Sequence, residues 1–104
     1  MAARFNIIFS ARAEHDMRNA AQWYVDQGNA HIGLAWARAM RTQIMTLAEF
    51  PLRWPVVGQQ AARPVRQMLF RRKHGQYRIF YTIDDKTVII LHIRHAARDK
   101  AAYE

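Results

Sequence analysis

The sequence predicts an α+β fold in which an antiparallel sheet packs on an N-terminal helical hairpin, in the order β-α-α-β-β-β. Apolar residues recur every three or four positions between residues 11 and 49, as they do on one face of a helix. The later segments are instead rich in Val, Ile, Phe, Tyr and Thr, which favours strands. The chain of 104 residues is expected to form one domain over residues 1–104.

The helical hairpin is delimited by capping residues. Ser10 is a favourable N-cap for a helix over residues 11–27. Gly28 suits the left-handed position after that helix, and Asn29 can cap a second helix over residues 30–49. Because the connection is so short, the two helices must pack antiparallel. The apolar stripes are Ala13, Met17, Ala20, Ala21 and Tyr24 in the first helix and Ile32, Trp36, Met40, Ile44 and Leu47 in the second.

Strands are predicted on both sides of the hairpin. Residues 4–9 form a short opening strand that is free to join an edge of the sheet. Pro51 and Pro55 end the second helix, so residues 50–63 are expected to be a loop. Three antiparallel strands follow, over residues 64–72, 76–83 and 86–95.

Alternation along the last two strands separates apolar faces from a face that carries cations. The apolar faces, expected to meet the helices, consist of Tyr77, Ile79, Tyr81 and Ile83 in one strand and Ile89, Leu91 and Ile93 in the next. The opposite face carries Arg78, Phe80 and Thr82, followed by Val88, Ile90, His92 and Arg94. Its mixture of cations and aromatic rings makes Arg78, Phe80, His92 and Arg94 the candidate site. Both faces of the strand over residues 64–72 are mixed, which leaves the side of Arg66 open.

The charge distribution indicates an acidic partner. The net charge is +8, and residues 53–104 hold eleven Lys and Arg against four Asp and Glu. Of the sixteen basic residues only three are lysine, and arginine is the better residue for bidentate contacts to phosphates or carboxylates. The partner is either nucleic acid or an acidic protein, because both are attracted by the same basic surface.

Several kinds of chemistry are not expected. The chain has no cysteine, and His92 and His95 have no acidic or cysteine partner at metal-ligand spacing, so we expect no metal site. Neither a Gly-rich phosphate loop nor a GxSxG nucleophile elbow is present, and no cofactor is expected. With no signal peptide or apolar run long enough to cross a membrane, the sequence favours a cytoplasmic protein with no membrane partner.

Five segments together resemble the RelE/ParE toxin superfamily, and they extend over almost the whole chain. They are Phe9-Ser10-x-x-Ala13, Leu47-x-x-Phe50-Pro51, Pro64-Val65-Arg66, Tyr77-Arg78-Ile79-Phe80-Tyr81 and the closing segment from Val88 to Asp99. The resemblance implies a toxin that a small cognate antitoxin wraps and neutralises. It also implies that the toxin reaches operator DNA only through that antitoxin, which represses the shared operon.

The superfamily divides into two activities, and the resemblance implies one of two targets. RelE-like members cut messenger RNA on the ribosome, and the positions that match their catalytic residues are Arg78, Arg94 and His95. Alternation places His95 on the opposite side of its strand from Arg94 unless the strand bulges. ParE-like members inhibit DNA gyrase. The ending from His95 to Asp99 resembles ParE-type sequences, and no acidic residue is available between residues 51 and 83 to act as a base.

We therefore favour the ParE-like interpretation. The residues expected to bind the target or nucleic acid are Arg66, Arg78, Phe80, His92, Arg94 and Arg98. A RelE-like endoribonuclease is the alternative. A nucleic-acid-binding domain without toxic activity is a third hypothesis, and it rests on charge alone.

Overall fold

Two helices pack on one face of a five-stranded sheet in the computed structural model, which describes residues 4–72 and 75–96. The elements are β1 (Asn6–Phe9), α1 (Ala11–Asp26), α2 (Ala30–Met45), a 3₁₀ turn (Thr46–Ala48), β2 (Val56–Gln60), β3 (Arg63–Arg72), β4 (Gly75–Asp84) and β5 (Thr87–His95). The strand order is β1-β5-β4-β3-β2, with β1 parallel to β5 and the other neighbours antiparallel. The predicted α+β class is confirmed.

The helical hairpin forms as its capping residues predict. The Ser10 hydroxyl accepts a hydrogen bond from the Ala13 N–H at 3.0 Å, and Gly28 adopts a left-handed φ of +79° after α1. Asn29 stands at the N-cap of α2, although its side chain makes no capping hydrogen bond. The helices approach closely at Gly33, where an added Cβ would lie 3.0 Å from the Ala21 carbonyl oxygen.

The main core lies between the helices and the sheet. Both predicted helical stripes face this core. Trp36 of α2 lies where α1, α2 and β4 meet. The Trp36 ring lies 6.2 Å from the ring of Tyr24 in α1 and 5.0 Å from the ring of Tyr77 in β4. From the sheet the core receives Met68, Phe70, Tyr77, Ile79, Tyr81, Val88, Ile90 and Ile93.

The second strand of the sheet was not predicted. Residues 50–63 were expected to be a loop, but Val56–Gln60 forms β2 and pairs antiparallel with β3. The two strands are joined by a two-residue turn in which Ala61 and Ala62 have φ values of 51° and 64°. Such turns usually carry Asn and Gly, because a Cβ disfavours positive φ. An Ala-Ala pair gives no turn signal, so the hairpin cannot be recognised from its sequence.

Replacing Ala61 by Asn and Ala62 by Gly should stabilise the protein by about 1 kcal/mol, because both residues tolerate the left-handed backbone better than alanine. The melting temperature should rise by about 5 °C. A matched control is Ala35→Gly at an exposed position of α2, which should cost about 1 kcal/mol of helix stability. A lower melting temperature for the turn variant would contradict this account of the β2–β3 hairpin.

Two side chains of the sheet hold the connection between the 3₁₀ turn and β2. The Tyr81 hydroxyl donates to the Pro51 carbonyl oxygen at 2.6 Å. Arg66 donates through one Nη atom to the carbonyl oxygens of Trp54 at 2.6 Å and Leu52 at 3.2 Å. The connection is therefore tied to the helix-facing side of the sheet.

Tyr81 should make the folded state sensitive to alkaline pH. Burial raises the pKa of its hydroxyl to about 12, although the charge of Arg66 opposes the increase. In the unfolded chain the hydroxyl ionises near pH 10, so the unfolded state loses its proton first and stability falls between about pH 10 and 12. We expect a loss of roughly 2–3 kcal/mol across this interval. Chemical unfolding at several pH values should show this loss in the wild type and a smaller one in Tyr81→Phe, whereas equal losses would contradict it.

Candidate functional site

Four side chains come together on the outer face of the sheet, which is the face turned away from the helices. Arg78 in β4 stands directly opposite Arg94 in β5, and Phe80 stands opposite His92. Directly opposed residues of antiparallel strands project from the same face. We call Arg78, Phe80, His92 and Arg94 the arginine face, and its composition is the one that the sequence predicted.

A β-bulge in β5 corrects the prediction for the neighbouring residues. The register shifts beside Phe80 and Tyr81, so that Phe80 pairs with His92 and Tyr81 pairs with Ile90, and Leu91 is the extra residue. The expectation that Ile89, Leu91 and Ile93 share the helix-facing side is therefore wrong. Ile89 and Leu91 pack on the outer side, whereas Val88 and Ile90 belong to the main core. The extra residue inverts the alternation of every position that precedes it.

The cations of the arginine face lie beside a buried aromatic residue. Phe80 is only 1% exposed and packs with Val65 and Leu91 in a second, smaller cluster. The Arg78 guanidinium carbon lies 5.8 Å from the centre of the Phe80 ring, within the range of a cation–π contact. Apolar surroundings strengthen the electrostatic interactions of these arginines with an acidic partner.

His92 is held in its neutral form at neutral pH. Burial lowers the pKa of its imidazole below the ordinary value, and the positive charges of Arg12 and Arg94 lower it further. The carboxylate of Asp16 opposes these effects but is the smallest of the four influences. The positive charge of the arginine face at neutral pH is therefore carried by its two arginines.

His95 projects from the other side of β5, as alternation predicts. It pairs with Tyr77, whose ring centre lies 5.0 Å from the imidazole in an edge-on arrangement. Gly75 packs so closely beneath His95 that an added Cβ would lie 2.8 Å from its Nε2 atom. The bulge at Leu91 precedes both Arg94 and His95 and so does not bring them to one face. Arg78 and Arg94 are neighbours, but His95 does not join them on the arginine face.

The other predicted binding residues do not join the arginine face. Arg66 pairs with Tyr81 on the helix-facing side and binds the two carbonyl oxygens of the connection before β2. Its side chain is committed to that structural contact. Arg98 lies outside the described residues. Of the six residues expected to bind a target, the structure thus brings four together.

Two residues of α1, Arg12 and Asp16, form a pair that binds β5, the strand that carries His92 and Arg94. They were not identified from the sequence. Asp16 accepts the backbone N–H of Ile93 at 3.0 Å through Oδ2 and the Arg12 Nε–H at 3.1 Å through Oδ1. An arginine four residues before an aspartate is a common helical ion pair. That spacing was the available signal, but it does not reveal that the pair reaches β5.

The comparisons with known proteins give a family from the sequence and a similar fold from solved structures. Residues 7–100 match the family model described as the ParE toxin of the type II toxin–antitoxin system parDE. The structure is similar to a chain of a chromosomal ParDE system from P. aeruginosa, with a TM-score of 0.72 and 14% identity over 90% of this chain and 98% of the other. It is also similar to a chain of the toxin–antitoxin complex RelBE2 from Mycobacterium tuberculosis, with a TM-score of 0.53 and 24% identity over 88% and 98%. No curated protein matches the sequence.

Proposed function

Because the chain belongs to the ParE toxin family of type II toxin–antitoxin systems, we propose that it arrests growth by binding and inhibiting DNA gyrase. The arginine face is the main contact surface in this proposal. The toxin works as a one-domain protein in the cytoplasm. In the part of the chain that the structure describes, no helix is long and apolar enough to cross a membrane.

The observation that carries the choice of gyrase is that His95 lies on the helix-facing side of β5, whereas Arg78 and Arg94 are paired on the arginine face. RNA cleavage without a metal requires a proton donor and acceptor close to the cations that stabilise the phosphate. Burial, together with the positive charges of Arg12 and Arg94, lowers the pKa of His92, so this histidine of the arginine face is not a protonated acid at neutral pH. The nearby carboxylate of Asp16 is already engaged by Arg12 and by the Ile93 N–H. These features favour a binding surface over a nuclease centre.

A cognate antitoxin is the second proposed partner. Several large apolar side chains are exposed along the connection before β2 and on β2 itself, namely Phe50, Leu52, Val56 and Val57. Leu52 is the most exposed of them, at 67%. An antitoxin segment with apolar anchors and acidic residues would cover this surface and complement the net charge of +8. Contact with operator DNA is proposed to occur only through that antitoxin.

Gyrase supercoiling is the assay that tests the main proposal. Purified toxin at micromolar concentration should inhibit supercoiling of relaxed plasmid, and prior addition of the antitoxin should restore it. Supercoiling that proceeds normally at these concentrations would remove the gyrase proposal.

A RelE-like endoribonuclease remains the second candidate, because Arg94 and His95 both line one cavity beside α1. Primer extension on translated messages distinguishes the two functions. New 5′ ends at A-site codons after induction of the toxin would favour the ribosomal target, and their absence would count against it.

A further inference from the structure

A cavity of about 590 Å³ lies between α2 and the C-terminal end of β3. Residues 39, 42 and 43 line it from the helix, Trp54 lines it from the connection before β2, and residues 69–71 of β3 complete its wall. Its volume is in the range of small-ligand sites. None of its lining residues belongs to the arginine face, so it is a separate site.

The strand β3 has an open edge at this cavity. The strand β2 pairs with β3 only as far as Arg66, and the next bond on that side joins the Gln67 N–H to the Pro55 carbonyl oxygen at 3.0 Å. Because backbone groups alternate along a strand, the N–H and C=O groups of Leu69 and Arg71 point to the same side as those of Gln67. Within residues 4–72 and 75–96, no strand pairs with them there.

The backbone of β3, rather than its side chains, meets the cavity at this edge. Leu69 stands opposite Arg78, so its side chain projects from the outer face of the sheet. The Leu69 carbonyl oxygen and the Arg71 N–H are neighbours on the open edge, one an acceptor and the other a donor. Nucleobases carry a donor beside an acceptor on their Watson–Crick edges. A peptide strand usually pairs over about five or six residues, which is longer than this edge.

Trp54 offers an aromatic surface to the same cavity. Its side chain is half-buried, and nucleobases stack on aromatic rings whatever their sequence. The Arg53 guanidinium carbon lies 5.4 Å from the centre of the Trp54 ring, which places a positive charge beside that surface. No Asp or Glu is among the lining residues. The cavity therefore combines a stacking surface, a donor and acceptor pair, and a neighbouring cation that suits a phosphate.

We propose that this cavity binds a nucleotide, with the base bonded to the open edge of β3 and stacked on Trp54, and the phosphate near Arg53. The inference goes beyond the proposed contact with gyrase, because the site does not include the arginine face. Its test therefore uses no gyrase. A free nucleotide and one base of a single strand share this chemistry, and the ligands of the test distinguish them.

Isothermal titration calorimetry on the purified toxin should give a dissociation constant for AMP below about 1 mM. Purine riboside monophosphate lacks the exocyclic amine that donates to the Leu69 carbonyl oxygen, and it should bind about tenfold more weakly. Ribose phosphate, which has no base, should not bind measurably. An oligoadenylate that binds about tenfold tighter than AMP would identify a strand as the source, and equal affinity would identify the free nucleotide. No binding of AMP, or equal binding of ribose phosphate, would overturn the proposal.

Arg71→Pro removes the backbone donor of the open edge. It leaves the pairing with β4 intact, because the Arg71 N–H points away from that strand. Binding of AMP should weaken by about tenfold, as expected for the loss of one hydrogen bond. The matched control is Arg71→Ala, which removes the same side chain but keeps the N–H, and it should leave the affinity nearly unchanged. Equal affinities of the two variants would contradict the assigned contact.

A second pair of variants fills the cavity without changing the strand. Thr42→Phe places a ring in the cavity from an exposed position of α2 and should abolish AMP binding. Ala35→Phe is its control, at an exposed position of the same helix outside the lining. Unchanged binding by the Thr42 variant would overturn the proposal. Binding of an extended acidic peptide that requires the Arg71 N–H, without binding of AMP, would overturn it in favour of strand pairing.

Discussion

Replacing Arg78 and Arg94 together by alanine should abolish the growth arrest that the wild-type toxin causes in cells lacking the antitoxin. The two arginines stand directly opposite each other on β4 and β5, so a partner must meet both at once. Arginine beside an aromatic residue is a common source of interface energy, and each truncation is expected to cost about 2 kcal/mol. In the supercoiling assay the double variant should therefore need roughly a thousandfold more protein if the two losses add.

The control for the double variant is Arg38→Ala, on the exposed surface of α2. It removes a positive charge far from the arginine face and should leave growth arrest intact. Circular dichroism should show that all variants are folded. Growth arrest that survives the double substitution in a folded protein would exclude the arginine face as the toxic surface.

The largest loss of stability is expected for Trp36→Ala, at about 3–5 kcal/mol. Trp36 is 3% exposed and packs between Tyr24 of α1 and Tyr77 of β4. Its removal leaves a cavity at the point where both helices meet the sheet. Because the Tyr77 ring also contacts His95, the loss should extend to the end of β5. Urea unfolding followed by circular dichroism measures the change in the free energy of unfolding.

Trp23→Ala is the matched control, because Trp23 stands next to Tyr24 in the chain but is 44% exposed. Its loss should cost less than about 1 kcal/mol, since the side chain already contacts water. Similar losses in the free energy of unfolding for the two variants would mean that Trp36 does not link α1, α2 and β4 as described.

The helices and the arginine face could be predicted because they depend on local patterns. Apolar residues at helical spacing identified both core-facing stripes, and Ser10 and Gly28 marked the ends of α1. Arg78 and Phe80 were placed together with His92 and Arg94 because both pairs lie in parts of β4 and β5 where alternation is regular.

The remaining features depend on contacts between distant parts of the chain. The turn at Ala61 and Ala62 forms although neither residue favours positive φ, because the pairing of β2 with β3 holds the two residues in this conformation. Ser10 lies beside the bulge at Leu91. Its backbone N–H donates to the Ile90 carbonyl oxygen and its hydroxyl donates to the Leu91 carbonyl oxygen. The link between Asp16 and Ile93 joins residues 77 positions apart. Periodicity cannot reveal such contacts.

The most direct test of the proposed function is the dissociation constant of the toxin for purified gyrase, measured at low and at physiological salt. The account predicts binding in the micromolar range or tighter, weakened by salt because the contact is made by arginines. It also predicts a weaker complex when Arg78 and Arg94 are both alanine. Binding to ribosomes with no measurable binding to gyrase would contradict it.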